Sequence, residues 1–314
     1  MESNNITIEP TIQEPVVISG ASGLIGMSLV QYLRTKGILV RTLVRREVKE
    51  KYEYNWDPRT EYVDPSAFKN AGTIIHLAGS PVNRRWTRKA RNDIVSSRVQ
   101  GTRCIVESAV THESIQSIVI ASAIGFYGHA PNASTATEDT EQGDGFLAST
   151  CAQWEKAAEY HESQFNSPHI ATARIGVVLD PSGGALAQAN RVANRIKLVP
   201  YVGNGRQWIS WISMLDCIKA LEFCAAHNLN GPINLVAPNP IIQHEFARQV
   251  ARSHGLRTLA IPRHLVSLGM GQMGREIAIG GRRVEATRLI AQGFKFEQPC
   301  SVNLIGQQSK ENQR

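Results

Sequence analysis

Three glycines, Gly20, Gly23 and Gly26, follow the β-branched run Val16-Val17-Ile18 and open a helical stretch from Met27 to Lys36. The chemistry served by that spacing is dinucleotide binding. The strand must turn sharply and a pyrophosphate must approach the backbone, so a side chain at Gly20 or Gly23 would obstruct one or the other. Gly26 would let the helix pack tightly on the strand. The helix N-terminus then presents free N–H groups and a positive dipole to the phosphates. Gly20, Ser22, Gly23, Leu24 and Ile25 are the candidate cofactor-binding residues of this turn. The competing reading is a tight strand–helix turn with no ligand. Its position between a strand and a helix of a βαβ unit favours the nucleotide.

The end of the second strand selects the cofactor variety. An NAD site usually places Asp or Glu there, against the ribose hydroxyls. This chain has Val44-Arg45-Arg46. A guanidinium suits a 2′-phosphate through charge-assisted hydrogen bonds, which points to NADP rather than NAD. Arg45 is the better candidate because it lies closer to the strand end. The alternative is that both arginines are solvated loop charges.

The elements that must hold these residues follow from periodicity. Val16–Ile18, Leu39–Val44, Tyr52–Trp56, Thr73–Leu77, Ser117–Ala121 and His169–Val178 read as strands. Met27–Lys36, a long stretch from about Thr87 to Val110, and Phe146–Gln164 read as helices, with Thr87 as an N-cap. This alternation predicts an α/β fold: a Rossmann-type doubly wound parallel sheet, with a smaller C-terminal α/β substrate lobe. The expected division is a flexible extension over 1–14, a nucleotide-binding domain over 15–180 and a cap lobe over 181–306. Within the cap region, 207–240 partly returns to the first domain, and 307–314 forms a flexible tail. Met214–Ala226, His244–His254 and Arg282–Ala291 are the later helices.

The chain has 314 residues, 42% hydrophobic and 19% charged, with 34 Lys and Arg against 27 Asp and Glu, a net charge of +7. That composition suits a soluble globular protein with a sizeable core. The longest apolar runs, such as Ile115 to Ile124, fall far short of the roughly 20 residues of a membrane span. The five cysteines contain no CxxC pair, which argues against zinc and disulfides. With no basic-then-apolar leader, a cytoplasmic location is expected.

GASGLIG, IIHLAGSPV, SSRVQGT, SAIGFYG, QWEKAAE, RIGVVLDPSGGAL and GRQWISWI occur in that order. Together they resemble the epimerase-like, atypical branch of the extended short-chain dehydrogenases, the YfcH-like group also labelled NAD-dependent epimerase or cell-division inhibitor. The similarity runs from about Val16 to Phe296, and GRRVEATRLIAQGFKF looks like that group's small C-terminal domain, about 253–306. The resemblance implies that Leu77, Ala78 and Gly79 line the adenosine half of the cofactor. It implies that Arg98, on the long helix, faces the cofactor, and that Val178 touches the nicotinamide half. An ordinary surface arginine is the alternative for Arg98.

The resemblance also marks a departure. Active extended enzymes carry a tyrosine and a lysine at i and i+4 on the helix that begins here near Phe146, on one face. The lysine lowers the tyrosine's pKa so that its phenol can exchange a proton. Counting back from Glu155 gives Leu147 and Cys151, which cannot do this. The usual serine falls on Ala123, with Ser122 adjacent. Tyr127 and Ser122 remain as candidate catalytic groups, Tyr127 because SAIGFYG should lie at the sheet's C-terminal edge, where ligands bind. An aromatic pocket wall is the competing reading for Tyr127.

Arg206, Gln207 and Trp208 lie in a region that, in extended enzymes, reaches the substrate. They are the candidate substrate-binding residues. Trp208 and Trp211 cannot share one strand face, so one of them belongs to the core. The basic run Arg84–Arg91 reads first as a solvated helix start, then as an anionic-substrate rim, and last as a nucleic-acid contact. No HExxH or similar spacing occurs, so no catalytic metal is expected. The expected partner is a small-molecule substrate, with no nucleic acid and no membrane, and a homodimer is compatible. Two functions stay open: hydride transfer to or from a small polar or sugar-derived substrate, and a non-catalytic NADP-binding redox sensor or regulator of cell division or organelle biogenesis.

Overall fold

The computed structural model describes residues 10–130, 134–159, 168–301 and 305. An eight-stranded sheet forms its centre. β1 (Val16–Ser19), β2 (Val40–Val44) and β3 (Glu53–Asp57) run parallel to one side, with β4 (Tyr62–Val63) antiparallel at the edge. β5 (Thr73–His76), β6 (Ser117–Ala123) and β7 (His169–Ile175) run parallel to the other side. The order reverses between β1 and β5, which places the switch-point crevice at the ends of those two strands. Val16, Val17, Ile18, Ile74, Ile75, Ile118 and Ile120 are fully buried because both sheet faces are covered.

The covering helices are α1 (Leu24–Thr35), α2 (Arg88–Ala109) and α3 (Phe146–Glu159), and Thr87 Oγ1 caps α2 by accepting from Ala90 N at 3.1 Å. The strand expected to run to Val178 breaks at Gly176. β8 (Val177–Leu179) leaves the sheet, and α4 (Gly184–Ile196) and β9 (Leu198–Val202) follow it. β10 (Trp208–Ile209) leads to β11 (Trp211–Ser213), which pairs with β8. After α5 (Met214–Ala226), β12 (Gly231–Leu235) returns to the main sheet beside β7. The chain ends in β13 (Ile241–Ile242), α6 (Gln243–Ser253), β14 (Arg257–Ile261), α7 (Arg263–Met273) and α8 (Thr287–Ala291). A second apolar cluster, with Leu186, Val199, Trp211, Phe246 and Val250, holds this later part together.

Three sequence expectations need correction. Residues 10–14 are not a free extension, because Ile12 is buried and Glu14 Oε2 accepts from Leu39 N at 2.7 Å. The helix expected over Arg282–Ala291 starts only at Thr287, because Val284 is taken by a bridge to Ala136. Helices α4 and α7 were not anticipated. α7 buries no residue and bends at Gly271, so it carries no core-facing stripe to read. Residues 160–167 and 306–314, which include the expected helix end at Gln164 and the expected tail, lie outside the described residues. No helix among the described residues is long and apolar enough to cross a membrane.

A buried ion pair joins the layers. Arg174 of β7 donates through Nε to Glu155 Oε1 at 2.9 Å and through Nη2 to Oε2 at 2.7 Å. Both side chains are buried, so removing one charge strands the other in a dry setting. Replacing Glu155 with Gln should therefore lower unfolding free energy by about 3–5 kcal/mol, read by urea denaturation. A change below about 1 kcal/mol would show that the pair contributes little.

A second buried contact ties the two strands at the crevice. Ser19 Oγ and His76 Nδ1 lie 2.6 Å apart, and burial holds the imidazole pKa down at about 3, against an ordinary 6.5. Below pH 6.5 the unfolded chain takes up a proton that folded His76 refuses until about pH 3. Acid thus favours unfolding, and this contribution to stability is present above pH 6.5 and lost as pH falls towards 3. Replacing His76 with Gln should flatten that part of the stability–pH curve, measured by denaturation across the window.

Candidate cofactor and active site

The turn after β1 is built for close approach. Gly20 has φ +72°, and a Cβ there would sit 2.7 Å from Ala78 N and from the Leu77 carbonyl carbon. Gly26 packs against the Gly20 carbonyl, so its missing side chain lets α1 meet the turn itself rather than the strand. α1 has no side-chain cap and no acidic residue in its first turn, which leaves its N–H donors for an anion. Together these features fit a dinucleotide's pyrophosphate.

A groove of about 1430 Å³ extends from Gly20, Ser22 and Gly23 past Leu77, Ala78 and Gly79 to Arg45 at the end of β2. Four arginines line its far end: Arg34, Arg45, Arg46 and Arg59. Arg46 pairs with Glu53 and holds that carboxyl at about 2 through its hydrogen bonds. Arg59 does the same for Asp57, also at about 2. Arg34 and Arg45 make no side-chain hydrogen bond or ion pair with a described residue, and so keep their donors. Sequence reasoning missed Arg34, because its place beside the groove depends on how α1 lies against β2.

A smaller recess of about 320 Å³ continues from Gly20 and Gly23 the other way. Leu24, Ile25, Ala121, Val177, Val178 and Ala185 line it, so its walls are apolar. The expected residues Leu24, Ile25 and Val178 thus meet in one place.

The candidate catalytic groups do not meet there. Tyr127 is 0% exposed, and its phenol donates to Asn234 Oδ1 at 2.7 Å and accepts from Arg174 Nη1 at 2.9 Å. Burial raises its pKa, against the opposing effect of Arg174. Ser122 is buried as well, and its hydroxyl donates to Glu155 Oε1 at 2.6 Å. Both side chains complete the Arg174–Glu155 network instead of facing the recess. A sequence signal for this existed: Arg174 stands inside an apolar strand and requires a partner.

Leu147 lies in the first turn of α3 and Cys151 one turn later. A Cβ on Gly125 would lie 3.5 Å from Leu147 Cβ and 3.7 Å from Cys151 Sγ, so both side chains face the segment after β6. Burial pushes the Cys151 thiol up to about 12, which leaves it neutral and a weak nucleophile. The backbone N–H groups of Phe146 and Leu147 donate to the Glu276 carboxylate at 3.0 and 2.9 Å. The C-terminal region thereby caps α3, a contact no local spacing revealed.

Arg98 lies behind the groove wall, donating from Nη1 to Ser80 O at 2.9 Å and to Ile94 O at 3.0 Å. Among the candidate substrate residues, Gln207 is 2% exposed and donates to Val202 O and Gln243 Oε1, so it belongs to the second core. Arg206 is exposed, and Trp208 is half-buried beneath the Arg283 guanidinium. Trp211 is the core member of the tryptophan pair, with Nε1 donating to Asn239 O at 2.8 Å. Arg282 donates from Nη1 to the Tyr127 carbonyl at 3.0 Å.

Comparison with known proteins agrees with this architecture. The model of the NAD dependent epimerase/dehydratase family matches residues 16–236, and a domain of unknown function, DUF1731, matches residues 261–300. An epimerase family protein of Mycobacterium bovis is 33% identical over 295 residues, covering 93% of this chain and 95% of that relative. A chloroplastic SDR39U1 homolog of Arabidopsis thaliana is 29% identical, covering 91% of this chain and 84% of its own. The crystal structure of the human epimerase family protein SDR39U1 with NADPH superposes with a TM-score of 0.83 at 26% identity, covering 94% of this chain and 99% of that one. The motif order, the switch-point groove and these matches agree: the chain belongs to the NAD dependent epimerase/dehydratase family and carries a DUF1731 domain towards its C-terminus.

Proposed function

We propose that this chain binds NADP(H), with the 2′-phosphate at Arg45, the pyrophosphate on the Gly20–Ile25 turn and the nicotinamide in the recess beside Ala121 and Val178. One observation carries the choice of NADP: Arg45 lines the groove end with no hydrogen-bonding partner among the described residues, while Arg46 and Arg59 are neutralised by Glu53 and Asp57. Arg34 adds a second available guanidinium there. The NADPH in the human SDR39U1 structure supports the same assignment. Leu77, Ala78 and Gly79 form the opposite wall, and the apolar recess excludes water from the nicotinamide end.

When bound, the cofactor supplies hydride chemistry at its nicotinamide ring. The geometry favours a redox-responsive, non-catalytic role over rapid turnover. Among the described residues no side-chain proton donor lines the recess, Tyr127 and Ser122 are committed to the buried network, and Leu147 and Cys151 stand where the resembled enzymes carry the proton-handling pair. The second reading is hydride transfer to a small polar or sugar-derived substrate over the sheet's C-terminal edge. The recess, open to the groove and large enough for a nicotinamide, favours it.

Replacing Arg45 with Ala should weaken NADPH binding roughly 10–100-fold, the worth of one or two charge-assisted hydrogen bonds, and leave NADH binding unchanged. Equal losses for both dinucleotides, or tighter wild-type binding of NADH, would sink the NADP assignment. Replacing Tyr127 with Phe should cost about 1–3 kcal/mol of stability by leaving Arg174 and Asn234 short of a partner, with NADPH affinity intact. Assay of NADPH oxidation against a panel of carbonyl and sugar-nucleotide compounds separates the two readings. Turnover that Tyr127→Phe abolishes in a folded protein would restore Tyr127 as the acid.

A further inference from the structure

The basic excess of this chain is local. The part held together by the second apolar cluster, residues 181–213 and 238–281, contains nine Lys and Arg against two Asp and Glu. The whole chain has 34 against 27, so the rest holds 25 of each, and the entire net charge of +7 lies on this part. Both of its acids already have partners: Glu276 caps α3, and Glu245 lies 3.7 Å from Arg248.

Strand β14 and helix α7 combine that charge with exposed aliphatic side chains. From Arg257 to Met270 no residue is buried and none is acidic. Arg257 and Arg263 are exposed there, and so are Leu259, Leu265, Met270 and Leu268, the last 85% exposed. Exposed Ile196 and Lys197 end α4 beside the start of β14, because the next residue, Leu198, pairs with Arg257. Apolar side chains left in water over such a run mark a surface that meets something else. A second copy of the same face does not suit it, since +7 would meet +7. Residues 257–273 contain no Phe, Tyr or Trp, the side chains that anchor protein interfaces. A fluid hydrocarbon layer, by contrast, takes up Leu and Met from a kinked helix without a matching shape.

We propose that this surface seats the chain on an anionic lipid bilayer. The Leu265 and Leu268 side chains enter the interface, and Arg257 and Arg263 meet lipid phosphates, which suit a guanidinium. This revises the expectation of no membrane, which came from the lack of a long apolar run. Lying on a bilayer needs no spanning helix. The groove is lined by residues between Gly20 and Pro81, none of them on β14 or α7, so the proposal does not depend on the cofactor reading.

Co-sedimentation of the full chain with lipid vesicles tests this. Vesicles of phosphatidylcholine mixed with phosphatidylglycerol should bind it at least about tenfold more tightly than phosphatidylcholine alone, and raised salt should release it. Arg257→Gln with Arg263→Gln should weaken binding roughly 25-fold, about fivefold for each charge. Arg85→Gln with Arg88→Gln removes the same net charge from exposed positions elsewhere and should leave binding within about twofold. Leu265→Ser with Leu268→Ser should weaken it about tenfold or more. These side chains are exposed, so circular dichroism and the urea midpoint of each variant should match the wild type. If a variant does not fold, the wild-type comparison of the two vesicle types and its response to salt decide alone. No binding to mixed vesicles, equal binding to both vesicle types, or equal losses from the two arginine pairs overturns the proposal. So does binding to soluble polyglutamate with none to vesicles, which would assign the face to an acidic protein.

Discussion

The bidentate pair between Arg174 and Glu155 is the constraint on which the ordering around the site depends. Arg174 projects from a central strand, where a guanidinium has no access to water and must find its partners within the protein. Glu155 from α3 supplies both carboxylate oxygens. The remaining donor of Arg174 reaches Tyr127, Tyr127 reaches Asn234 on β12, and Asn234 reaches the Glu285 carbonyl in the C-terminal segment. One buried charge thus connects β6, α3, β7, β12 and the C-terminal segment at Glu285 in a single polar network. Such a network fixes one arrangement because each unmade bond costs more than each made bond contributes.

That commitment shapes the chemistry. Tyrosine and serine at the C-terminal end of β6 would ordinarily be read as proton donors facing a ligand. Here their hydroxyls are consumed by Glu155, Arg174 and Asn234. The recess beside Ala121 and Val178 has apolar walls among the described residues, and α3 presents Leu147 and Cys151. The groove beside the glycine turn thus stays open while the Tyr127 and Ser122 hydroxyls serve the core. Meanwhile Arg98 keeps a positive charge behind the groove, supplied by α2 rather than α3.

Legibility in the sequence followed the range of the interaction. The glycine turn, the strand-end arginines and the cap at Thr87 act within a few residues, and local spacing exposes them. The parallel sheet was readable because strands and helices alternate at regular intervals. The C-terminal region was not: α7 buries nothing, and the first residues of the helix expected over Arg282–Ala291 are non-helical, with Val284 bridged to Ala136. Gln207 was a candidate substrate ligand because this region reaches the substrate in the extended enzymes that the chain resembles. Its burial is set by Gln243 and Val202, which approach only after the lobe has folded.

The fold class, the family and the place of the tight glycine turn were thus readable from local spacing, motif order and glycine's lack of a side chain. What the polar side chains near the site are free to do follows from contacts made across the fold. Arg45 and Arg46 are adjacent and identical in type, yet Glu53 neutralises one and leaves the other available. Tyr127 sits at the expected edge, yet its hydroxyl points to a strand over one hundred residues away. The physical reason is common to both. A polar group's availability depends on which partners reach it in space, and desolvation makes those partnerships compulsory once the core closes.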